Sequence, residues 1–126
     1  MSLILCLCLP LAAKTLPAPG LESGYVSALA AADRFLHAWQ SGDLENGMVL
    51  LSGHAKEMAT ADAVEKFFSN SVPSGYEIGR GKLIKPGRYL FPVVFVTASK
   101  NRARRKFSTI LIVDTGGNDW AVDKLP

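Results

Sequence analysis

The residues best placed for acid–base chemistry in this sequence are Asp33 and His37, which lie four positions apart. On a helix that spacing lets the two side chains meet, and a carboxylate beside an imidazole is a common general-base arrangement. Helical geometry, however, puts both residues outside the apolar stripe of the helix, whereas a pocket would face that stripe. The sequence therefore favours a solvated surface pair over a catalytic one.

The other titratable and nucleophilic residues form no pattern that names a reaction. His54 has no second histidine or carboxylate at metal-ligand spacing, so the sequence predicts no metal site. No serine lies in a nucleophile-elbow motif, and no glycine-rich stretch has phosphate-loop spacing. The strand carboxylates Glu77, Asp114, Asp119 and Asp123 mostly fall beside turns or at strand ends. We therefore predict no cofactor, name no catalytic residue, and favour a non-enzymatic protein over an enzyme.

Basic residues are concentrated in the second half of the chain. Residues 1–70 carry four basic and seven acidic side chains, whereas residues 71–126 carry ten basic and four acidic ones. Five of these cations lie in the run KNRARRK, namely Lys100, Arg102, Arg104, Arg105 and Lys106. The run flanks a predicted hairpin turn, and strand alternation spreads its charges over both faces of the hairpin.

This basic run has two readings. It is typical of a solvated hairpin end that guards a sheet against edge pairing. It also fits contact with an anionic lipid surface or with an acidic envelope protein. Nucleic acid is not predicted, because the nearest aromatic residues, Phe95 and Phe107, are expected where the core begins and not on a stacking surface.

The N-terminus has the features of a secretory signal peptide over residues 1–13. Its apolar run is shorter than the roughly 20 residues that a membrane span needs, and no basic residue precedes it. Both cysteines, Cys6 and Cys8, lie within the run, so a processed chain would carry no thiol. We predict export to the periplasm or beyond, with lipid anchoring less favoured. A cytoplasmic location follows if the run is not a signal.

Apolar periodicity predicts three helices followed by four strands. Hydrophobic residues make up 48% of the 126 residues and charged residues 20%, which is typical of one folded domain, and we place it at residues 24–126 after a linker at 14–23. The predicted helices span residues 24–40, 44–51 and 61–70, with 52–59 as a connection, and the predicted strands span 76–84, 89–99, 102–114 and 120–124. A run of helices followed by a run of strands indicates an α+β fold, with the helices packed on a curved, four-stranded antiparallel sheet.

Two segments, FLHAWQSGD at residues 35–43 and WAVDKL at residues 120–125, resemble the nuclear transport factor 2-like superfamily. Its members are also called SnoaL-like or ketosteroid isomerase-like and have a cystatin-like α+β architecture. The resemblance covers residues 24–125 and implies a sheet that wraps a long first helix into a cone. It permits either ligand binding or acid–base catalysis, and it places no catalytic residue in this chain.

Aromatic residues in such a cone pack the core, and some of them can line a pocket. The residues that we predict to line it are Trp39, Phe68, Phe107, Thr109 and Trp120. The second and third strands are apolar on both faces, which indicates burial on both faces. Because the helices cover only one face, we predict a homodimer in which a second subunit covers the other.

These patterns favour an exported, non-enzymatic domain that binds a small apolar ligand or a protein partner. One alternative is a SnoaL-like or isomerase-like acid–base enzyme that acts on a hydrophobic substrate. The other is an accessory component of an envelope assembly that uses the basic hairpin.

Overall fold

A computed structural model of the protein describes residues 23–69 and 72–126. The predicted signal segment at residues 1–13, almost all of the predicted linker and the predicted end of the third helix at residue 70 lie outside these described residues. Among the described residues, no helix combines the length and the apolar character that crossing a bilayer requires.

Four helices precede the sheet, one more than the sequence predicts. They are α1 (Ser23–Ser41), α2 (Leu44–Val49), α3 (Gly53–Met58) and α4 (Ala61–Phe68). The added helix is α3, which replaces the connection predicted at residues 52–59. Six residues are too few to show an apolar period. Its signal is the N-cap at Ser52, whose hydroxyl oxygen accepts from the Ala55 amide at 3.0 Å.

The sheet has five antiparallel strands, again one more than predicted. They are β1 (Ser74–Ile78), β2 (Lys82–Lys85), β3 (Arg88–Ser99), β4 (Arg102–Asp114) and β5 (Trp120–Lys124). The strand order is β1-β3-β4-β5, and β2 follows β1 along the same edge of β3. The α+β class, the bounds of the last two strands and the antiparallel order are confirmed.

The strand predicted at residues 76–84 is broken between β1 and β2. A β-carbon at Gly79 would lie 2.7 Å from Cγ of Pro92, and one at Gly81 would overlap the ring of Phe91. The Gly81 amide donates to the Tyr25 hydroxyl at 2.9 Å and not to the sheet. Glycine is therefore required where the chain passes close over β3, and the ladder is interrupted there.

The turn between β3 and β4 is a two-residue hairpin at Lys100 and Asn101, as predicted. Both residues have positive φ angles, 50° and 64°, and Ser99 pairs directly with Arg102. Two consecutive left-handed residues match the twist of the flanking strands, so the hairpin is continuous to its tip.

The core lies between α1 and the inner face of the sheet. The predicted stripe of α1 is confirmed, because Ala28, Ala32, Phe35 and Leu36 are fully buried. The sheet contributes the fully buried side chains Phe91, Ile110, Ile112 and Val122. Burial of each large apolar side chain stabilises the fold by about 1.5–3 kcal/mol.

The outer face of the sheet is also apolar, and several of its side chains remain accessible to solvent. Leu90, Val94 and Leu111 are half-buried there, and the Phe107 side chain is 73% exposed. The second subunit that we expect on this face stays a prediction.

Candidate binding groove beside the basic hairpin

A groove of about 670 Å³ lies between α4 and the β3–β4 hairpin, beyond the end of β5. We call it the hairpin groove. Its apolar wall contains Trp39, Phe67, Phe95 and Leu125, and its basic wall contains Lys66, Arg104, Arg105 and Lys106. It is the site where the structure brings one predicted pocket residue, Trp39, together with predicted anion-contact residues.

Three aromatic rings form the apolar wall. Trp39 and Phe95 meet edge to face, with ring centroids 4.7 Å apart, and both side chains are buried. Phe67 is half-buried and lies 6.1 Å from Phe95 and 6.5 Å from Trp39 between centroids. Edge-to-face packing fixes the ring positions, so this wall is preformed.

The basic wall follows from the register of β4. Arg104 pairs with Thr97, and Lys106 pairs with Phe95, so both side chains fall on the inner face beyond the packed core. All cations of this wall are exposed. The single ion pair among the described residues joins Arg88 to Asp123, and neither residue lines this groove.

The groove has room for a ligand, but none of its described side chains could act as a general base. Neither a carboxylate nor a histidine side chain lines it. An aromatic floor beside several cations matches a molecule that has both an apolar part and a negative charge.

The predicted pocket residues do not converge on this groove. Trp39 lines it, whereas Phe68 is buried against Phe35, with ring centroids 5.4 Å apart. Trp120 is also buried, and its indole N–H donates to Asn118 Oδ1 at 2.7 Å.

Phe107 and Thr109 are exposed on the outer face of β4, so the expectation that Phe107 reaches the core is wrong. The physical reason is that the inner face of β4 changes from polar to apolar along the strand. It reads Arg104, Lys106 and Ser108 before the buried Ile110 and Ile112. Strand alternation alone could not distinguish this face from the equally apolar outer one.

The sequence did not predict four of the side chains that form the two walls of the groove, namely Lys66, Phe67, Phe95 and Leu125. Phe67 lies three residues after Val64 in α4, and Val64 is buried whereas Phe67 is only half-buried. The missing information is how far β5 extends, because the groove exists where that strand stops.

The five hairpin cations are all exposed, but they do not form one patch. Lys100 lies in the turn, Arg102, Arg104 and Lys106 lie on the inner face, and Arg105 lies on the outer face beside Phe107. Arg104 and Lys106 line the hairpin groove from the inner face, and Arg105 borders it although its strand position belongs to the outer face.

A second groove, of about 800 Å³, lies between α3, α4 and β5 and contains His54 and Asp123. The Ser52 hydroxyl donates to Asp123 Oδ1 at 2.6 Å, and Arg88 Nη1 donates to Oδ2 at 3.4 Å. Ser52, His54 and Asp123 resemble a Ser-His-Asp triad in composition only. In a triad the histidine lies between the serine and the carboxylate, whereas here Ser52 donates directly to Asp123. No side-chain hydrogen bond of His54 occurs within the described part of the chain. The hydrogen bond from Ser52 to Asp123 instead fixes the start of α3 against β5.

Asp33 and His37 do not form the surface pair that their spacing predicts. The Tyr76 hydroxyl donates to Asp33 Oδ1 at 2.7 Å, and no described hydrogen bond or ion pair joins Asp33 to His37. Burial is the largest cause that raises the pKa of Tyr76, and the hydrogen bond and the charge of Asp33 raise it further. This contact ties α1 to β1, which is a structural role.

No protein-family model matches the sequence, and no curated protein matches it. Among solved structures, a ketosteroid isomerase-like protein from Erwinia carotovora atroseptica SCRI1043 is 13% identical. It matches with a TM-score of 0.56, over 79% of this chain and 90% of that one. A putative calcium/calmodulin dependent protein kinase II association domain from Xanthomonas campestris is 17% identical. It matches with a TM-score of 0.58, over 88% of this chain and 89% of that one.

These similarities define the class of fold: the chain has the nuclear transport factor 2-like α+β fold, as its sequence predicts. At such identities the likeness concerns architecture alone, and the function has to be argued from the groove.

Proposed function

We propose that the protein is an exported, non-enzymatic binding domain whose hairpin groove takes a molecule that combines an apolar body with negative charge. The observation that carries this proposal is the position of Arg104 and Lys106 beside the aromatic wall. Export is supported by the signal-like composition of residues 1–13.

Both parts of such a molecule gain from the groove. An apolar ring or chain that covers Phe67 and the rims of Trp39 and Phe95 contributes about 25 cal/mol for each Å² removed from water. A carboxylate or phosphate that reaches a guanidinium gains a charge-assisted hydrogen bond, which contributes about 1.5–3 kcal/mol. The cations are exposed, so the charged contribution weakens as salt is added.

The runner-up is an acid–base enzyme that acts on a hydrophobic substrate. It needs a general base within reach of the bound molecule, and the described lining of the hairpin groove has none. The buried carboxylate of Asp123 lies in the other groove and already accepts from Ser52 and Arg88. Binding without catalysis therefore has the stronger support.

A second candidate function, as an accessory component of an envelope assembly, is favoured by the exposure of all five hairpin cations. Lys100 and Arg102 lie at the tip and outside the groove, so they are free to meet a surface while the groove is occupied.

A matched pair of probes tests the groove. Dodecanoate and dodecanol share an apolar chain and differ in charge, and the fluorescence of Trp39 reports their binding once Trp120→Phe has removed the other indole. We expect dodecanoate to bind more tightly, and we expect Arg104→Gln/Lys106→Gln to reduce that preference while dodecanol binding is unchanged.

The control is Lys82→Gln/Lys85→Gln. It removes two exposed cations from β2, which pairs with the edge of β3 that faces away from β4. It should leave both affinities unchanged. Equal affinity of the two probes, or no change in Trp39 fluorescence with either, would overturn the proposal.

A further inference from the structure

Strand β4 has a free edge beside the hairpin groove. β3 pairs with β4 from Arg102 to Val113, but β5 pairs only from Leu111 to Asp114. Residues 102–110 therefore have a strand on one side and, within residues 23–69 and 72–126, none on the other. By contrast, residues 50–52 cover the far edge of β5. The Ser52 amide donates to the Val122 carbonyl, and the Val122 amide donates to the Leu50 carbonyl.

A free edge presents backbone N–H and C=O groups that can pair with another strand. The charges of this edge decide which strand. Residues 88–113 contain no acidic residue, and the edge carries Arg102, Arg104, Arg105 and Lys106. A second copy placed against the edge would bring like charges together, whereas an acidic segment would be attracted on both faces.

The line of β5 shows where such a strand would lie. β5 runs antiparallel to β4 and stops at Lys124, and Leu125 and Pro126 follow it into the lining of the groove. A strand placed in the same line beyond them would pass along the rest of β4 toward residue 102. Its inward side chains would enter the hairpin groove, between Phe67 and the basic wall. Its outward side chains would lie near Phe107, which is 73% exposed.

We propose that the free edge of β4 adds an extended acidic segment of a partner protein as a further strand, whose inward side chains occupy the hairpin groove. This inference rests on the proposed function and names the class of its occupant. The cations that discourage pairing with a second copy thereby select an acidic partner.

The test uses the whole protein and a blocked octapeptide of alternating glutamate and valine. We expect fluorescence anisotropy to show binding that weakens with salt. We also expect hydrogen exchange to slow at alternate amides within residues 103–109, where N–H groups point away from β3. The triple variant Arg104→Gln/Arg105→Gln/Lys106→Gln should weaken binding at least about tenfold, and Lys82→Gln/Lys85→Gln should leave it unchanged.

A fully N-methylated peptide keeps the charges and side chains but cannot donate backbone hydrogen bonds. It should lose binding, and retained binding would overturn strand addition. Binding without slower exchange at residues 103–109 would overturn it as well. If dodecanoate binds and the peptide does not, this inference fails and the proposed function stands; if neither binds, both fail.

Discussion

The ring of Phe68 occupies the space that a β-carbon at Gly47 would need. Gly47 lies inside α2 and is buried, whereas Phe68 is the last residue of α4. Glycine within a helix costs about 1 kcal/mol relative to alanine, so a short helix gains nothing from it by itself. Here the close approach of the two helices requires it.

Gly47→Ala should therefore destabilise the protein, although alanine favours the helix. Overpacking costs about 1–3 kcal/mol, which exceeds the gain in helix propensity or cancels it. Urea denaturation gives the free energy of unfolding. The matched control is Gly53→Ala at the start of α3, where a β-carbon meets nothing within 4 Å, so no loss is expected.

Phe68→Leu should partly restore stability in the Gly47→Ala background, because a smaller side chain makes room for the new methyl group. A double-mutant cycle measures this coupling. A stabilising effect of Gly47→Ala alone would show that the two helices do not approach so closely.

Ser52→Ala should cost more than the loss of an ordinary helix cap. The Ser52 hydroxyl caps α3 and also donates to Asp123, whose side chain is buried. A lost cap costs about 1 kcal/mol, and a buried carboxylate left with one fewer donor adds roughly 1–3 kcal/mol. Thr60→Ala is the control, since Thr60 caps α4 at an exposed position. Equal losses in chemical denaturation would contradict the second role.

More of the fold than of the site could be predicted, because repeated sequence patterns specify the fold. The stripe of α1 and the long alternating strands contain many residues that agree, so their bounds were predicted within a few positions. The helix at Gly53–Met58 is too short to show a period, and its one signal is the cap at Ser52. The break in the first strand depends on Pro92 and Phe91, which are distant in sequence.

The groove could not be predicted because it depends on where elements end. Trp39 and Arg104 were each selected from sequence, but for different sites. Their convergence depends on β5 stopping at Lys124 and on the register that pairs Arg104 with Thr97. Nothing in the local pattern of either residue contains that information.

The contact between Tyr76 and Asp33 predicts a loss of stability at high pH. The pKa of Tyr76 is raised in the folded state, so the folded protein holds this proton more tightly than the unfolded chain. The stabilisation is complete below the ordinary tyrosine pKa of about 10 and decreases as pH rises above it.

Tyr76→Phe should flatten the dependence of unfolding free energy on pH above about 9. Phenolate absorbance gives an independent readout, because the pKa of Tyr76 is raised and this side chain should titrate later than in the unfolded chain. Tyr76→Phe should therefore remove a late-titrating phenol, and an unchanged titration curve would contradict the assignment. Tyr89→Phe serves as the comparison variant.

The outer face of the sheet predicts a dimer that depends on Phe107. Phe107 pairs with Val94 on the apolar outer face, and the Phe107 side chain is 73% exposed. Light scattering at tens of micromolar should give twice the monomer mass, and Phe107→Ser should give the monomer. The control Val49→Ser changes a side chain that is 76% exposed on α2, so it should leave the dimer intact. A monomer mass for the unchanged protein would refute the prediction.

The cations at the hairpin tip and the cations of the groove should differ in their effect on binding to vesicles. Lys100 and Arg102 lie at the hairpin end, whereas Arg104 and Lys106 line the groove. If the hairpin serves an envelope assembly, each tip cation adds about 1 kcal/mol of attraction to an anionic bilayer. Lys100→Ser/Arg102→Ser should then weaken flotation with phosphatidylglycerol vesicles, and added salt should weaken it further.

The same tip variant should leave dodecanoate binding unchanged, because neither residue lines the groove. Vesicles of phosphatidylcholine alone provide the neutral control. Flotation that is indifferent to the tip cations would remove the envelope-surface function and leave the groove as the site of binding. Loss of dodecanoate binding in the tip variant would instead show that the hairpin acts as one unit, because removal of its tip charges would then have disturbed the basic wall.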